Sequence, residues 1–493
     1  MEQESGGNKL GGGQLTTIHA VGQSMAICGP IFSAGILAGL VASVAGFNSP
    51  LSMLLSAVGA ACLAYVVSLY ARQFSGAGAI YEYLVHGARP SVGVYAGALY
   101  LMGTLITAGA AIFIAFGFFA QDFFASSLSI HVTSWIWAGI ALTVALAMNH
   151  FGVRLAIRGL LAITSLSVIP FLILAVAIIV QGGEGGNTLS TFGTGYAGLS
   201  GVLHGVLFGV LLLVGFEAAA TISEECREPR RSVPIAMLAT VGLASCFFVL
   251  IMYAASIGFG PKAAAEVWPV DPSPMATLAH QYVGKGLETT INLVILFDTF
   301  ALSLAGVVGG SRIAFALARD GLLPGAIART SRTRRTPLGG NVVMAAFGAA
   351  AIAFGALNTY GNSVEVPNNI MAFQILAGAG GYLTEAVYGL LALFVFSIIW
   401  RMGGGWSRAW RLAVAVGGIA TPLLAYYGSL HPWPKYPANV GLIFAAAAVV
   451  LITVWFAYLY VRRRDKIAGA ATHAQPADSP VGDPVPVESG LSV

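Results

Sequence analysis

Apolar residues gather in long runs, separated by shorter polar or charged stretches. Twelve such runs stand out, at 18–45, 50–71, 92–121, 133–150, 157–181, 201–223, 233–259, 285–318, 340–358, 370–400, 410–429 and 438–461. A helix that crosses the hydrocarbon of a bilayer needs about 20 mostly apolar residues. The pattern therefore predicts twelve membrane-spanning helices and an all-α polytopic protein. Glycine and proline recur inside the runs, which membrane helices tolerate better than soluble ones.

Composition agrees with the pattern. Of 493 residues, 57% are hydrophobic and 9% charged, and the mean hydropathy is +0.82. A soluble protein carries roughly 25% charged residues. These values exclude a cytosolic enzyme, a secreted disulfide scaffold and a disordered chain. Cys28, Cys62, Cys226 and Cys246 show neither metal-ligand spacing nor a disulfide framework. Residues 1–14 lack a basic stretch and a cleavage site, so the first apolar run is expected to act as a retained signal anchor. Segments 1–16 and 465–493 are expected to be disordered and cytosolic, the latter being rich in Ala, Pro, Asp and Ser.

Charge sets the orientation. If both termini lie inside, twenty of the 24 Lys and Arg fall on inner segments, including Arg227, Arg230 and Arg231, Arg332, Arg334 and Arg335, and Arg462, Arg463 and Arg464. The outer loops hold Lys262, Lys285 and Lys435, while Arg312 lies within a span. This bias predicts cytosolic termini and a cytoplasmic-membrane location. It also accounts for the net charge of +4 without a nucleic-acid partner.

Two runs carry flaws at corresponding depth. The first contains Cys28-Gly29-Pro30-Ile31-Phe32-Ser33. Proline removes a backbone donor and clashes with the preceding turn. A break there would bare amides at the positive end of the outer half-helix, where a carboxylate could sit; a simple proline kink is the other reading. The sixth run holds Gly215 and Glu217 at mid-span. A charge at a helix centre costs about 2.5–3.5 kcal/mol on the insertion scale, so such a residue usually faces a cavity or the bundle interior. Paired interruptions point to a transporter built from two inverted halves, expected at 17–181 and 201–400, with 410–461 as two extra helices.

Several strings resemble the amino acid–polyamine–organocation (APC) superfamily. Gly215-Phe216-Glu217, with Glu224-Glu225, Pro229-Arg230 and Pro234, looks like its sixth-helix motif. Arg312 followed by Ala318-Arg319-Asp320-Gly321-Leu322-Leu323-Pro324 looks like its exit from helix eight, and Gly76-Ala77-Gly78-Ala79-Ile80-Tyr81-Glu82-Tyr83 its loop before helix three. The similarity spans most of 17–400. It implies a five-plus-five inverted repeat with two C-terminal helices, and amino acid transport by alternating access. Where many members carry Gly-Ser-Gly at the first break, this chain has Cys28-Gly29-Pro30, and its proline subtracts one amide.

The expected substrate is a zwitterion at the midplane. Its carboxylate would meet Cys28, Gly29, Pro30, Ile31, Phe32 and Ser33. Its ammonium would meet the carbonyls from Leu213 to Gly215. To these carbonyls, that of Val214 among them, the resemblance adds Leu211, Phe216 and Glu217, with Gly103, Thr104 and Thr107 on the facing wall. Threonine hydroxyls often bond back to their own helix, so a structural role for Thr104 and Thr107 stays open. Asp298 is the candidate to take a proton as a gate closes, or Asp298, Thr299 and Ser303 to hold sodium. Ser167 stands where some proton-coupled members carry lysine, leaving that fixed charge absent. Glu385 lines the pathway or pairs with a tyrosine, and Arg312 is expected to snorkel from the cytosolic end. No cofactor or metal is expected. The function read from these features is a secondary active permease for amino acids or related amines, coupled to protons as a symporter, with an amino acid/polyamine exchanger, a polytopic enzyme or a transporter-like sensor as alternatives. No H-E-x-x-H, G-x-S-x-G or P-loop occurs.

Overall fold

The computed structural model describes Leu10 and residues 12–357, 368–401, 406–431, 433, 436 and 438–471. Every regular element among these is helical; the two isolated bridges are Leu15–Cys226 and Thr330–Pro337. In chain order the helices are α1 (Thr17–Cys28), α2 (Pro30–Phe32), α3 (Ala38–Ala45), α4 (Ser49–Ala71), α5 (Ile80–Gly87), α6 (Pro90–Ile106), α7 (Ile112–Leu128), α8 (Ser134–Phe151) and α9 (Val153–Gln181). There follow α10 (Gly198–Leu211), α11 (Pro229–Glu266), α12 (Pro274–Tyr282), α13 (Lys285–Arg319), α14 (Leu338–Leu357), α15 (Asn368–Arg401), α16 (Trp406–Leu430), α17 (Ala438–Arg462) and α18 (Arg464–Ala468).

Among the described residues eleven segments are long and apolar enough to cross a membrane, against twelve expected from the runs. The difference lies in the first, Thr17–Ala71, which counts 55 residues. At 1.5 Å per residue that is far longer than the ~30 Å hydrocarbon core. A turn at Gly46–Asn48, with Gly46 at φ 48°, divides it into two arms.

Burial separates centre from periphery. The most apolar window of α13 is 78% buried, while that of the last long helix, α17, is 22% buried. Leu166, Val176, Leu451 and Val461 point outward, as lipid-facing residues do. Where apolar exteriors give no drive between helices, close approach of small residues takes over. A Cβ at Gly205 or Gly209 of α10 would stand 2.4 or 2.3 Å from the hydroxyls of Ser52 or Ser56 on α4. Those hydroxyls donate across the crossing to the carbonyls of Val202 and Val206, each at 2.9 Å.

The ends differ from expectation. In place of an unstructured tail from 465, α18 folds back, and Ile467, Ala470 and Ala471 are buried. The Ala471 amide donates to Asp320 Oδ2 at 2.7 Å, and Ala471 O lies 3.1 Å from His86 Nε2. Near the N-terminus Leu10 packs with Ala77, Phe315 and Ala316, and the Gln14 and Leu15 amides donate to Glu225 O at 2.9 Å. These short pieces have partners that composition does not reveal. Residues 1–9, 11 and 472–493, and Lys435, lie outside the described residues.

Candidate functional site

The first break falls at Gly29. Its φ of 50° is the left-handed value that ends helices and suits glycine. Its amide still reaches Met25 O at 3.1 Å, and Pro30 opens the next helical segment with no amide to offer. The Ile31 and Phe32 amides are the bared pair. Both donate to Asp298 Oδ2 of α13, at 3.0 and 2.9 Å. The Ser33 amide returns to Gly29 O at 2.8 Å and its hydroxyl to Cys28 O at 2.9 Å. A π-helical turn follows at Ser33–Leu37.

The second break falls at Gly215, with φ 101° and ψ −4°. The helix α10 stops at Leu211, and a 3-10 segment, Phe216–Glu225, follows the gap. The Gly215 amide meets the Tyr388 hydroxyl at 3.4 Å, and Tyr100 donates to Glu217 Oε1 at 3.1 Å. The two breaks touch: the Cys28 thiol donates to Leu213 O at 3.6 Å. A Cβ at Gly215 would stand 2.2 Å from Ile27 Cγ2, and one at Gly29 would stand 2.5 Å from Leu302 Cδ1. Ser24 ties them further, donating to Phe216 O at 2.7 Å and accepting from the Ala219 amide at 2.9 Å.

This conformation is closed around the breaks. Phe32 meets Phe119 and Phe373 edge-on, with centroids 6.1 and 5.9 Å apart. Clefts of about 430 and 380 Å³ lie elsewhere, one beside Tyr95 and Phe394, the other beside Gly321 and Lys466. Asp298 and Glu217 are 0% and 3% exposed. Asp298 Oδ1 and Glu217 Oε2 are buried with no hydrogen-bond partner among the described residues.

The other candidates sort into two groups. Cys28, Ile31, Phe32, Ser33, Gly215 and Phe216 are buried at the breaks, with Leu211 and Val214 half-buried on the same stretch of chain. Thr104, Thr299 and Ser303 bond back to their own helix, through Tyr100 O, Ile295 O and Thr299 O. Gly103 is a packing point, since a Cβ there would stand 2.8 Å from the Thr384 hydroxyl and 3.1 Å from Gly380 O. Thr107 Oγ1 has no partner among the described residues. Glu385 is buried on α15 with Oε2 unpartnered. No group of three His, Cys, Asp or Glu able to hold a metal occurs among the described residues.

A second charged cluster escaped the sequence reading. Arg312 is 0% exposed and does not snorkel, because Glu225 meets it inside. The guanidinium forks onto that carboxylate at 2.7 and 3.2 Å and reaches Asn149 Oδ1 at 3.2 Å. Arg319 pairs with Glu224 at 2.9 Å and lies 3.4 Å from Glu82 and 3.8 Å from Asp320. Tyr81 donates to Asp320 Oδ2 at 2.5 Å, and the Gly78 amide to Glu82 Oε1 at 3.2 Å. Gly76 leaves room for this carboxylate, for a Cβ would stand 1.4 Å from Glu82 Oε2 and force that side chain to shift. Burial, reinforced by the Glu224 charge and opposed by Arg319, pushes Glu82 up to about 8. Burial pushes the Cys226 thiol up to about 12 and holds His86 below its ordinary value. The signal available in sequence was opposite charge at the ends of two apolar runs, Glu225 and Arg312.

Comparison with known proteins gives the family. The amino acid permease family matches residues 22–476. The branched-chain amino acid permease BcaP of Lactococcus lactis is 25% identical over 265 residues, covering 54% of this chain and 52% of the relative. The L-asparagine permease 1 of Mycobacterium tuberculosis is 28% identical over 262 residues, covering 50% and 51%. The chain thus spans about half the length of these two relatives. An uncharacterized transporter of Mycobacterium bovis is 25% identical over 431 residues, covering 85% and 88%. The chain belongs to the amino acid permease family.

Proposed function

We propose that this amino acid permease family member is a secondary transporter that carries amino acids or related amines across the cytoplasmic membrane by alternating access. The observation that carries the reading is the contact between two broken helices. Gly29 and Gly215 both take left-handed backbone, and each break holds a buried carboxylate with an oxygen to spare. Irregular backbone at membrane depth is tolerated where it lines a site.

In this reading the 55-residue first segment crosses twice, which makes twelve crossings in a five-plus-five repeat plus two. Both termini are cytosolic by the distribution of basic residues. The Arg312–Glu225 and Arg319–Glu224 pairs then close the cytosolic end. The coupling ion is the proton, carried by Asp298, whose carboxylate is fully enclosed and binds backbone at the first break. Sodium is the second candidate. It is the weaker one, since the hydroxyls of Thr299 and Ser303 are turned onto their own helix.

Uptake of labelled amino acids and amines into proteoliposomes, with and without an imposed pH gradient, tests the reading. Accumulation that follows the gradient supports a proton-coupled permease, and its sign separates symport from exchange. Binding without movement would make the chain a sensor. Chemical conversion of the solute would make it an enzyme.

A further inference from the structure

The two breaks differ from what a carboxylate-bearing solute needs. At the first break every donor is in use. Gly29 N is bound to Met25 O, Pro30 has none, Ile31 N and Phe32 N are bound to Asp298, and Ser33 N is bound to Gly29 O. The Ser33 hydroxyl and the Cys28 thiol donate to Cys28 O and Leu213 O. At the second break Gly215 N donates to Tyr388 and the Tyr100 hydroxyl to Glu217. Among the described residues the carboxylate oxygens left unmatched at the two breaks are Asp298 Oδ1 and Glu217 Oε2, both enclosed.

We propose that the substrate is an organic cation that brings no carboxylate: an amine whose ammonium takes the place of the proton on Asp298 and pairs with its Oδ1, while Asp298 Oδ2 stays on the Ile31 and Phe32 amides. The protein's own carboxylate stands where that of an amino acid would. This rests on the reading of the chain as a transporter and narrows its substrate class.

Three physical points carry it. A carboxylate entering at the first break finds the Ile31 and Phe32 amides already held by Asp298, and an unmatched buried charge is strongly unfavourable. It would also stand beside two buried carboxylates of like sign, which raises that cost. An ammonium brings three donors and no acceptor, the complement of what the breaks leave open. Beside the breaks lie Ile27, close to Gly215, Leu302, close to Gly29, and Phe32, surfaces for an alkyl or aryl body.

The test uses the full chain and matched pairs: leucine with isoamylamine, phenylalanine with phenethylamine, ornithine with putrescine. Thermal stabilisation of the detergent-purified protein and uptake into proteoliposomes are read for each member. The expected result is a pair in which the amine acts at concentrations about tenfold or more below its amino acid, as loss of one partner of a buried charge pair commonly costs. Asp298→Asn keeps an oxygen for the two amides and loses the charge, so the amine effect disappears while the ligand-free melting temperature holds. Asp298→Ala frees the amides, so the amine weakens and its amino acid gains. An amino acid that acts as well as its amine, or amine affinity that survives Asp298→Asn, overturns the proposal and leaves the transporter standing. No response to either member of any pair overturns both.

Discussion

Two regions bury carboxylates, and they treat them in opposite ways. At the end of the bundle that holds α5 and α18, Glu225 is gripped by Arg312 at two oxygens, and Glu224 by Arg319. At the helix breaks, Asp298 and Glu217 meet amides and a tyrosine but no cation, and one oxygen of each is left over. The residue types and burial are similar. The difference is that a matched buried charge holds elements together, whereas these two carboxylates have no cationic partner among the described residues and keep an acceptor open.

The sharpest way to break this comparison is to unmatch the matched pair. Arg312→Leu strands the buried Glu225 without its cation, and about 3–5 kcal/mol of stability should be lost. Thermal unfolding in detergent should show a collapse that the double variant Arg312→Leu/Glu225→Leu largely repairs. If the single variant melts normally, the pair does not hold that end closed.

Gly215→Leu should come next, removing transport while leaving a folded protein. Its side chain would enter the space of Ile27, and its backbone would be held at φ 101° at a cost of about 1–3 kcal/mol. Proteoliposome uptake reads the effect, and unaltered substrate affinity would contradict the site. Asp298→Asn then gives the contrast with Arg312. Taking charge from an unmatched carboxyl should change stability by less than about 1 kcal/mol while uptake is lost.

Glu82 sharpens the comparison through pH. Its carboxyl stands at about 8 in the folded protein against an ordinary 4.5. Between those values the folded state holds a proton that the unfolded chain has released, so this group's contribution falls as pH rises through the window. The melting temperature of the wild type should drop from about pH 5 to about pH 8 more steeply than that of Glu82→Gln. Equal slopes would mean that Arg319 keeps Glu82 ionised. The smallest effects belong to Thr104→Val and Thr299→Val. Their hydroxyls only cap their own helices, so uptake should stay within about twofold of wild type.

The two breaks and the buried carboxylates beside them were legible along the chain. Gly29-Pro30 and Gly215 declared the breaks, because few other residues stop a helix inside an apolar run. Asp298 and Glu217 declared themselves by the cost of placing charge there. The destination of the bared amides was not legible. Spacing places Ile31 and Phe32 at a helix start, but their acceptor is 266 residues or more away, on α13. The hydroxyls of Thr104, Thr299 and Ser303 were equally undetermined, since a threonine that caps its own turn and one that faces a solute look alike in sequence.

Local chemistry by itself determined that this chain is helical, lives in a bilayer and breaks two of its helices, because hydrophobic run length, proline and glycine act within a few residues of themselves. Tertiary structure alone decided who answers whom: Asp298 on the first break, Arg312 on Glu225, the segment after α17 on Asp320. Those pairings join segments far apart in the chain, and burial makes each match or mismatch of charge count, because it withdraws the bulk solvent that would otherwise screen an unpaired charge.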